Sequence, residues 1–149
     1  MIRLLFVFMA LATFCGAARA ESAPQWIWLD SEANGQQAWF RTEFNLEGAV
    51  KSAVVSGACD NEIMIFLNGT RVVRGNDWGT VYVAPAKGSL KPGKNVLAVF
   101  GRNNEGSAGL FARLTVTAED GRETVIATGA DWKASAALAE GWNTPDFDA

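Results

Sequence analysis

Apolar and polar residues alternate in short runs along most of this chain, and glycine- or proline-bearing breaks separate the runs. Over residues 38–46, Phe40, Phe44 and Leu46 fall on one side and Trp39, Arg41, Glu43 and Asn45 on the other, the two-residue period of a half-buried strand. Leu110, Ala112, Leu114 and Val116 alternate in the same way with Phe111, Arg113, Thr115 and Thr117. Residues 96–100, Val-Leu-Ala-Val-Phe, carry no polar position, as expected of a strand covered on both faces. Residues 25–29, 50–57, 80–83 and 123–128 add further extended runs, whereas 134–140 read as a single helical turn.

The breaks fix the connections. Asn68-Gly69 supplies the two positive-φ residues of a type I′ turn and joins residues 63–67 to 70–73 as a hairpin; Asp120-Gly121 gives a second signal of that kind. Leu90-Lys91-Pro92-Gly93-Lys94-Asn95 reads as a tight turn, with proline fixing one φ and glycine permitting the positive one. About nine short strands at regular spacing predict an all-β fold, an antiparallel β-sandwich or jelly roll. It occupies residues 21–149 as a single domain, without an internal repeat or low-complexity linker.

Residues 1–20 stand apart from that pattern. Arg3 gives a basic start, residues 4–14 form an apolar run too short to span a bilayer, and Ala18-Arg19-Ala20 has the small-x-small form that a signal peptidase cuts. The reading is a cleaved secretory signal and a secreted or periplasmic product. A lipoprotein signal with Cys15 as the lipidated residue is the alternative, and bulky Phe14 speaks against it. Once the signal leaves, the 13 basic residues fall to 11 against 16 acidic ones, a net charge of −5. An acidic chain with no basic stripe is a poor partner for nucleic acid, and no other stretch is long and apolar enough for a membrane. Cys59 then stands alone, so no internal disulfide forms, and its expected place is a buried apolar one.

Absent residues narrow the chemistry. There is no histidine, which excludes Ser-His-Asp and Cys-His arrangements and histidine zinc sites, and one cysteine cannot build a thiolate site. Residues 101–109 lack the glycines and the Lys-Ser/Thr of a phosphate loop. Glycoside hydrolysis by two carboxylates stays open only through loop acids such as Asp77 and Glu105, without a paired motif, and no enzymatic activity is expected. Sugar binding needs less: a flat indole over the C–H face of a pyranose and a few amides and charged groups for its hydroxyls. Trp78 beside Asn76 and Asp77, with Arg102, Asn103 and Asn104 from a second loop, has that composition and forms the candidate carbohydrate-binding rim. The competing reading has Trp78 packed over the hairpin end while the amides and acids cap turns. Trp26, Trp28, Trp132 and Trp142 are expected to fill the core or seal its rim, and Trp39, on the polar side of its strand, is either exposed or covered by the C-terminal segment.

The order of these pieces resembles the galactose-binding-like jelly roll, in particular the accessory modules that precede the catalytic domains of bacterial alpha-L-rhamnosidases. The matching marks are Trp26-Ile27-Trp28, Phe40-Arg41-Thr42-Glu43-Phe44, Val50-Lys51-Ser52-Ala53, Asp60-Asn61 followed by Phe66-Leu67-Asn68-Gly69, residues 90–99, Ala108-Gly109-Leu110 and Trp132-Lys133. The resemblance implies a non-catalytic carbohydrate-binding module working with a downstream catalytic domain, or a ligand-free spacer packed on such a domain. It also implies a further closing strand after Phe147-Asp148, so that the sandwich here lacks its last strand and the sequence is a fragment of a larger secreted protein. Such modules often hold a structural calcium, for which Asp60, Asp146 and Asp148 are the candidate ligands, with turn capping as the competing role; no other cofactor is implied.

Overall fold

The computed structural model describes residues 23–148, so the signal expected over residues 1–20 lies outside the described residues. Among the described residues nine strands follow one another: β1 (Gln37–Leu46), β2 (Val50–Asp60), β3 (Glu62–Leu67), β4 (Thr70–Gly75), β5 (Tyr82–Pro85), β6 (Gly93–Arg102), β7 (Gly109–Ala118), β8 (Glu123–Ala127) and β9 (Lys133–Ser135). They form a five-stranded sheet, β4-β3-β6-β1-β9, and a four-stranded sheet, β5-β2-β7-β8, with antiparallel pairing throughout. The expected sandwich is therefore present. All but two of the connections between consecutive strands pass from one sheet to the other, the exceptions being the hairpins β3–β4 and β7–β8. Among the described residues no helix is long and apolar enough to cross a membrane.

The alternating patterns become the two inner faces. Ala38, Phe40 and Leu46 of β1, Ile63, Ile65 and Leu67 of β3, and Leu97 and Val99 of β6 meet Ala53, Val55 and Cys59 of β2 and Leu110, Ala112, Leu114 and Val116 of β7 in one core. Burying an aliphatic side chain contributes roughly 1.5–3 kcal/mol, which makes this interdigitated layer the main source of stability among the described residues, whose cysteine, Cys59, is free. Strand β6 is buried on both faces because the segment after β9 runs back over the outside of its sheet. Trp142 there sets its ring edge-on to Phe66 at 5.7 Å, and Phe147 lies over the Arg41 guanidinium at 5.2 Å. Arg41 is only 5% exposed and donates to the carbonyls of Phe147 and Thr144, so a residue on the polar side of its strand becomes the anchor of that cover. Trp39 is half-buried beside Phe100 under the same segment.

Four local expectations need correction. Residues 25–29 form no ladder: only Ile27 bridges Leu110, because Trp26 and Trp28 turn onto glycines of opposite sheets and carry the segment across the end of the sandwich. Residues 134–140 contain no helical turn, since Lys133–Ser135 pair with the edge of β1 and strand pairing overrides alanine propensity. The Asp120-Gly121 turn is not type I′. Only Gly121 has positive φ (84°), and Gly121 N–H donates to Ala118 O while Ala118 N–H donates to Arg122 O, a three-residue loop closed by a glycine bulge. Asn68 and Gly69 do take φ of 50° and 85°, as a type I′ turn requires. Finally, the described residues do not gather Asp60, Asp146 and Asp148 into a metal-holding group. On the side of β1 that carries β9, pairing covers only Trp39–Arg41, and among the described residues no strand pairs there with residues 42–46.

The pole at the Asn68-Gly69 turn is fastened by the buried amide of Asn95 and the half-buried one of Asn68. Asn95 donates from Nδ2 to the carbonyls of Lys91 (2.7 Å) and Gly93 (2.8 Å), and its Oδ1 accepts from Asn68 Nδ2 (2.8 Å) and Lys91 N–H (3.0 Å). Asn68 also accepts from Val96 N–H. Replacing Asn95 with alanine leaves several of these groups without partners, and the expected loss is about 2–4 kcal/mol of unfolding free energy in urea denaturation. A loss below about 0.5 kcal/mol would mean that solvent takes over the clasp.

Candidate functional site

The antiparallel registers place the predicted loops at one pole. Ile63 pairs with Gly75 on one side and Gly101 on the other, and Glu62 pairs with Arg102. In the facing sheet Asp60 pairs with Gly109 and Gly57 with Tyr82. The connections 60–62, 76–81 and 103–108 and the segment 30–36 before β1 therefore all emerge at this end, opposite the Asn68-Gly69 turn.

Three glycines explain how the loops are held there. A Cβ on Gly75 would fall inside the ring of Tyr82; one on Gly101 would meet Trp28 at 2.9 Å and Leu110 at 2.7 Å; one on Gly109 would meet Trp26 at 3.1 Å. None of these positions has positive φ; at Gly75 and Gly101 glycine is required for space, so that a ring can rest directly on backbone, while at Gly109 a Cβ would press on the exposed Trp26 ring. Each seated ring then holds a loop or covers the pole. Tyr82 Oη accepts from the N–H groups of Asn76 (3.1 Å) and Asp77 (3.0 Å), which fixes the start of the Trp78 loop. Trp28 Nε1 donates to Gln36 Oε1 at 2.7 Å, and Gln36 O accepts from Asn103 N–H. Trp26 sets its ring edge-on to Phe111, 5.0 Å between centroids, and remains 61% exposed, so it lies at the rim and not in the core.

The six candidate residues have different environments. Trp78 is 68% exposed, on a loop rather than packed over the hairpin end. Asn76 and Asn104 are exposed on loops at the same pole, and Arg102 is half-buried, 3.9 Å from Glu62. Asp77 caps its own turn: Oδ1 accepts from Gly79 N–H (3.0 Å) and Oδ2 from Thr80 Oγ1 (2.8 Å). Those bonds, the Thr80 hydroxyl first, hold its carboxyl below the usual range, so it stays an anion at neutral pH. Asn103 is not a surface contact at all. It is fully buried, and its Nδ2 ties together the carbonyls of Ala33 and Gly106, which makes it a strut between two rim loops. Residues outside the six also belong to the rim: Asn61 Oδ1 accepts from Asn104 N–H at 2.6 Å and joins the 60–62 connection to the 103–108 loop. Sequence spacing could not reveal the ring seats on glycine, because each pairs residues from different segments of the chain. The Asp60-Asn61-Glu62 cluster ahead of the hairpin was the visible signal for the rest.

Two antiparallel sheets with aromatic and polar loops gathered at one pole place the chain among β-sandwich modules of the jelly-roll class. Comparison with known proteins agrees. The chain is 31% identical over 136 residues to an alpha-L-rhamnosidase of Streptomyces avermitilis, covering 83% of this chain and only 13% of that protein. The crystal structure of Streptomyces avermitilis alpha-L-rhamnosidase complexed with L-rhamnose superimposes with a TM-score of 0.77 and 29% identity, over 84% of this chain and 13% of that one. The Pleurotus ostreatus lectin in its apo form gives a TM-score of 0.73 and 29% identity, over 84% of this chain and 38% of the lectin. No family model matches. In sequence and fold the chain is thus similar to a small, domain-sized part of rhamnosidases, and it spans about an eighth of their length.

Two outcomes follow from the geometry. Gly75→Ala should push Tyr82 off its seat, at a cost of about 1–3 kcal/mol in thermal or chemical unfolding, and release the Trp78 loop, seen as a change in indole emission. An unchanged stability and spectrum would show that the ring is not seated there. Burial pushes the Cys59 thiol up from its ordinary 9.0 to about 12. Folding favours the protonated thiol, so its contribution is complete below pH 9 and disappears as pH rises toward 12, by up to about 1.4 kcal/mol per unit. Cys59→Ala should flatten that part of the stability profile, and the native thiol should resist a thiol reagent at pH 8 until the chain is unfolded.

Proposed function

We propose that this chain is a non-catalytic carbohydrate-binding module of a larger secreted polysaccharide-processing protein. The observation that carries this reading is the gathering, at one pole, of exposed Trp78 with Asn76, Asn104, Arg102 and the 60–62 connection, on a fold shared with rhamnosidases and a lectin. The indole covers the C–H face of a pyranose while the amides and the Arg102 guanidinium take its hydroxyls, and Asp77 and Asn103 hold the loops in place. Asp77 spends both carboxylate oxygens on its own turn, which leaves it poorly suited to act as an acid or base.

A second reading has a specific observation in its favour. Val83 on β5 and Val81 just before it, with Val54 on β2, are 49–65% exposed. Such a strip suits a module that packs against a catalytic domain of the same larger protein.

Titration of intrinsic tryptophan fluorescence with L-rhamnose, galactose and plant oligosaccharides separates the two. The module reading expects a saturable response that Trp78→Ala weakens about tenfold or more, equivalent to about 1.4 kcal/mol. Absence of any response, or an unchanged affinity in Trp78→Ala, would reject the rim as the sugar site and favour the packing role.

A further inference from the structure

Two of the six tryptophans are more than half exposed, Trp78 at 68% and Trp26 at 61%, and both stand at the polar pole. Trp28, Trp39 and Trp142 are half-buried and Trp132 is buried. Trp26 takes no part in the contacts so far given to the rim, yet its ring is fixed as a platform would be. The atoms Cδ2, Cε3 and Cζ3, consecutive along one side of the indole, lie 3.1–4.0 Å from the place a Cβ of Gly109 would take, so that side rests on bare backbone. Phe111 meets the ring at 78°, with 5.0 Å between centroids, and sets its tilt. Held from one side and from Phe111, and 61% exposed, the indole keeps a flat apolar surface open to solvent.

Strand register sets where this platform stands relative to Trp78. Gly109 is the direct partner of Asp60, so the 60–62 connection of the rim begins beside the Trp26 ring. In the four-stranded sheet β2 lies between β7 and β5. The Trp78 loop is held by the Tyr82 hydroxyl of β5, on the other side of β2. The supports of the two indoles are thus two strand spacings apart, roughly 10 Å, with the 60–62 connection between them. One pyranose cannot rest on both platforms. A short chain of pyranoses can, with an indole under a residue near each end and polar groups of the rim beneath the middle.

We propose that the pole takes an oligosaccharide chain, and that Trp26 is a second stacking subsite for a sugar residue further along the chain than the one on Trp78. The proposal rests on the reading of the rim as a sugar site and adds the class of ligand: a chain of about three residues, the number that spans the two platforms. A single sugar occupies the Trp78 end alone, so Trp26 acts only on longer ligands. Gly109 belongs to the subsite because a side chain there would press on the ring.

The test is calorimetric titration of the intact chain with rhamno-oligosaccharides and galacto-oligosaccharides of one to four units, paired with acrylamide quenching of indole emission. In at least one series the trisaccharide should bind about tenfold or more tighter than the monosaccharide, equivalent to about 1.4 kcal/mol. It should shield two tryptophans from the quencher where the monosaccharide shields one. Trp26→Ala, at an exposed position, should return the trisaccharide to about the affinity of the monosaccharide and leave monosaccharide binding unchanged. Trp26→Phe should keep most of the gain, whereas Trp78→Ala should weaken ligands of every length. Affinity independent of chain length, a trisaccharide that shields only one tryptophan, or a Trp26→Ala variant that binds the trisaccharide as the native chain does would overturn the proposal and leave the rim reading standing. Equal weakening of mono- and trisaccharide by Trp26→Ala would overturn it too, and no binding of any sugar would overturn both.

Discussion

The seating of aromatic rings on glycine backbone is the contact on which the polar end of this sandwich depends. Tyr82 occupies the space above Gly75, Trp28 that above Gly101 and Trp26 that above Gly109. Tyr82 and Trp28 pack against the core beneath the loops, and each of these two rings has a second use. The hydroxyl of Tyr82 gathers two backbone N–H groups of the Trp78 loop, and the indole N–H of Trp28 holds Gln36. Rings packed on strands are better supports than loop residues are, because their rotamers are locked by the core they cover. Loops of this length would otherwise sample many conformations, and ordering them on a ligand would weaken binding. Here much of that ordering is already provided by the fold.

The opposite face of the five-stranded sheet follows a different rule. Arg41 lies on the polar side of β1, yet it is nearly as buried as the core because the segment after β9 crosses above it. A buried guanidinium is tolerated only when its donors are satisfied; two carbonyls of the crossing segment and the Glu43 carboxylate meet most of that demand. The segment shields β6 at the same time, which is why that strand is apolar at consecutive positions. One cation therefore links a sequence irregularity to the cover over the sheet.

Much of the architecture was legible in the sequence because it rests on local signals. Two-residue periodicity marked β1 and β7, and Asn68-Gly69 marked the hairpin whose φ values match a type I′ turn. The misreadings arose where contacts distant in sequence decide the outcome. Ala-rich 134–140 pairs and turns because β1 offers it an edge, and 25–29 straddles the two sheets because its tryptophans have glycine seats on both. At the rim, composition correctly grouped residues 76–78 with 102–104 at one end. It could not show that Asn103 faces inward as a strut, or that the Asp77 carboxylate is engaged by its own turn, because both depend on loop geometry. The Trp26 platform was less visible still, since the ring and the backbone beneath it come from segments far apart in the chain.

The central claim is that one pole of the sandwich is a ready-built sugar-contacting surface. An amide-resolved NMR titration of the folded chain with L-rhamnose and galactose tests it most directly. The account predicts that the largest shift changes fall on residues 60–62, 76–79 and 102–106, with the Tyr82 and Trp28 signals staying close to their free positions. Changes confined to the Asn68-Gly69 pole, or no shift change with any sugar, would contradict it.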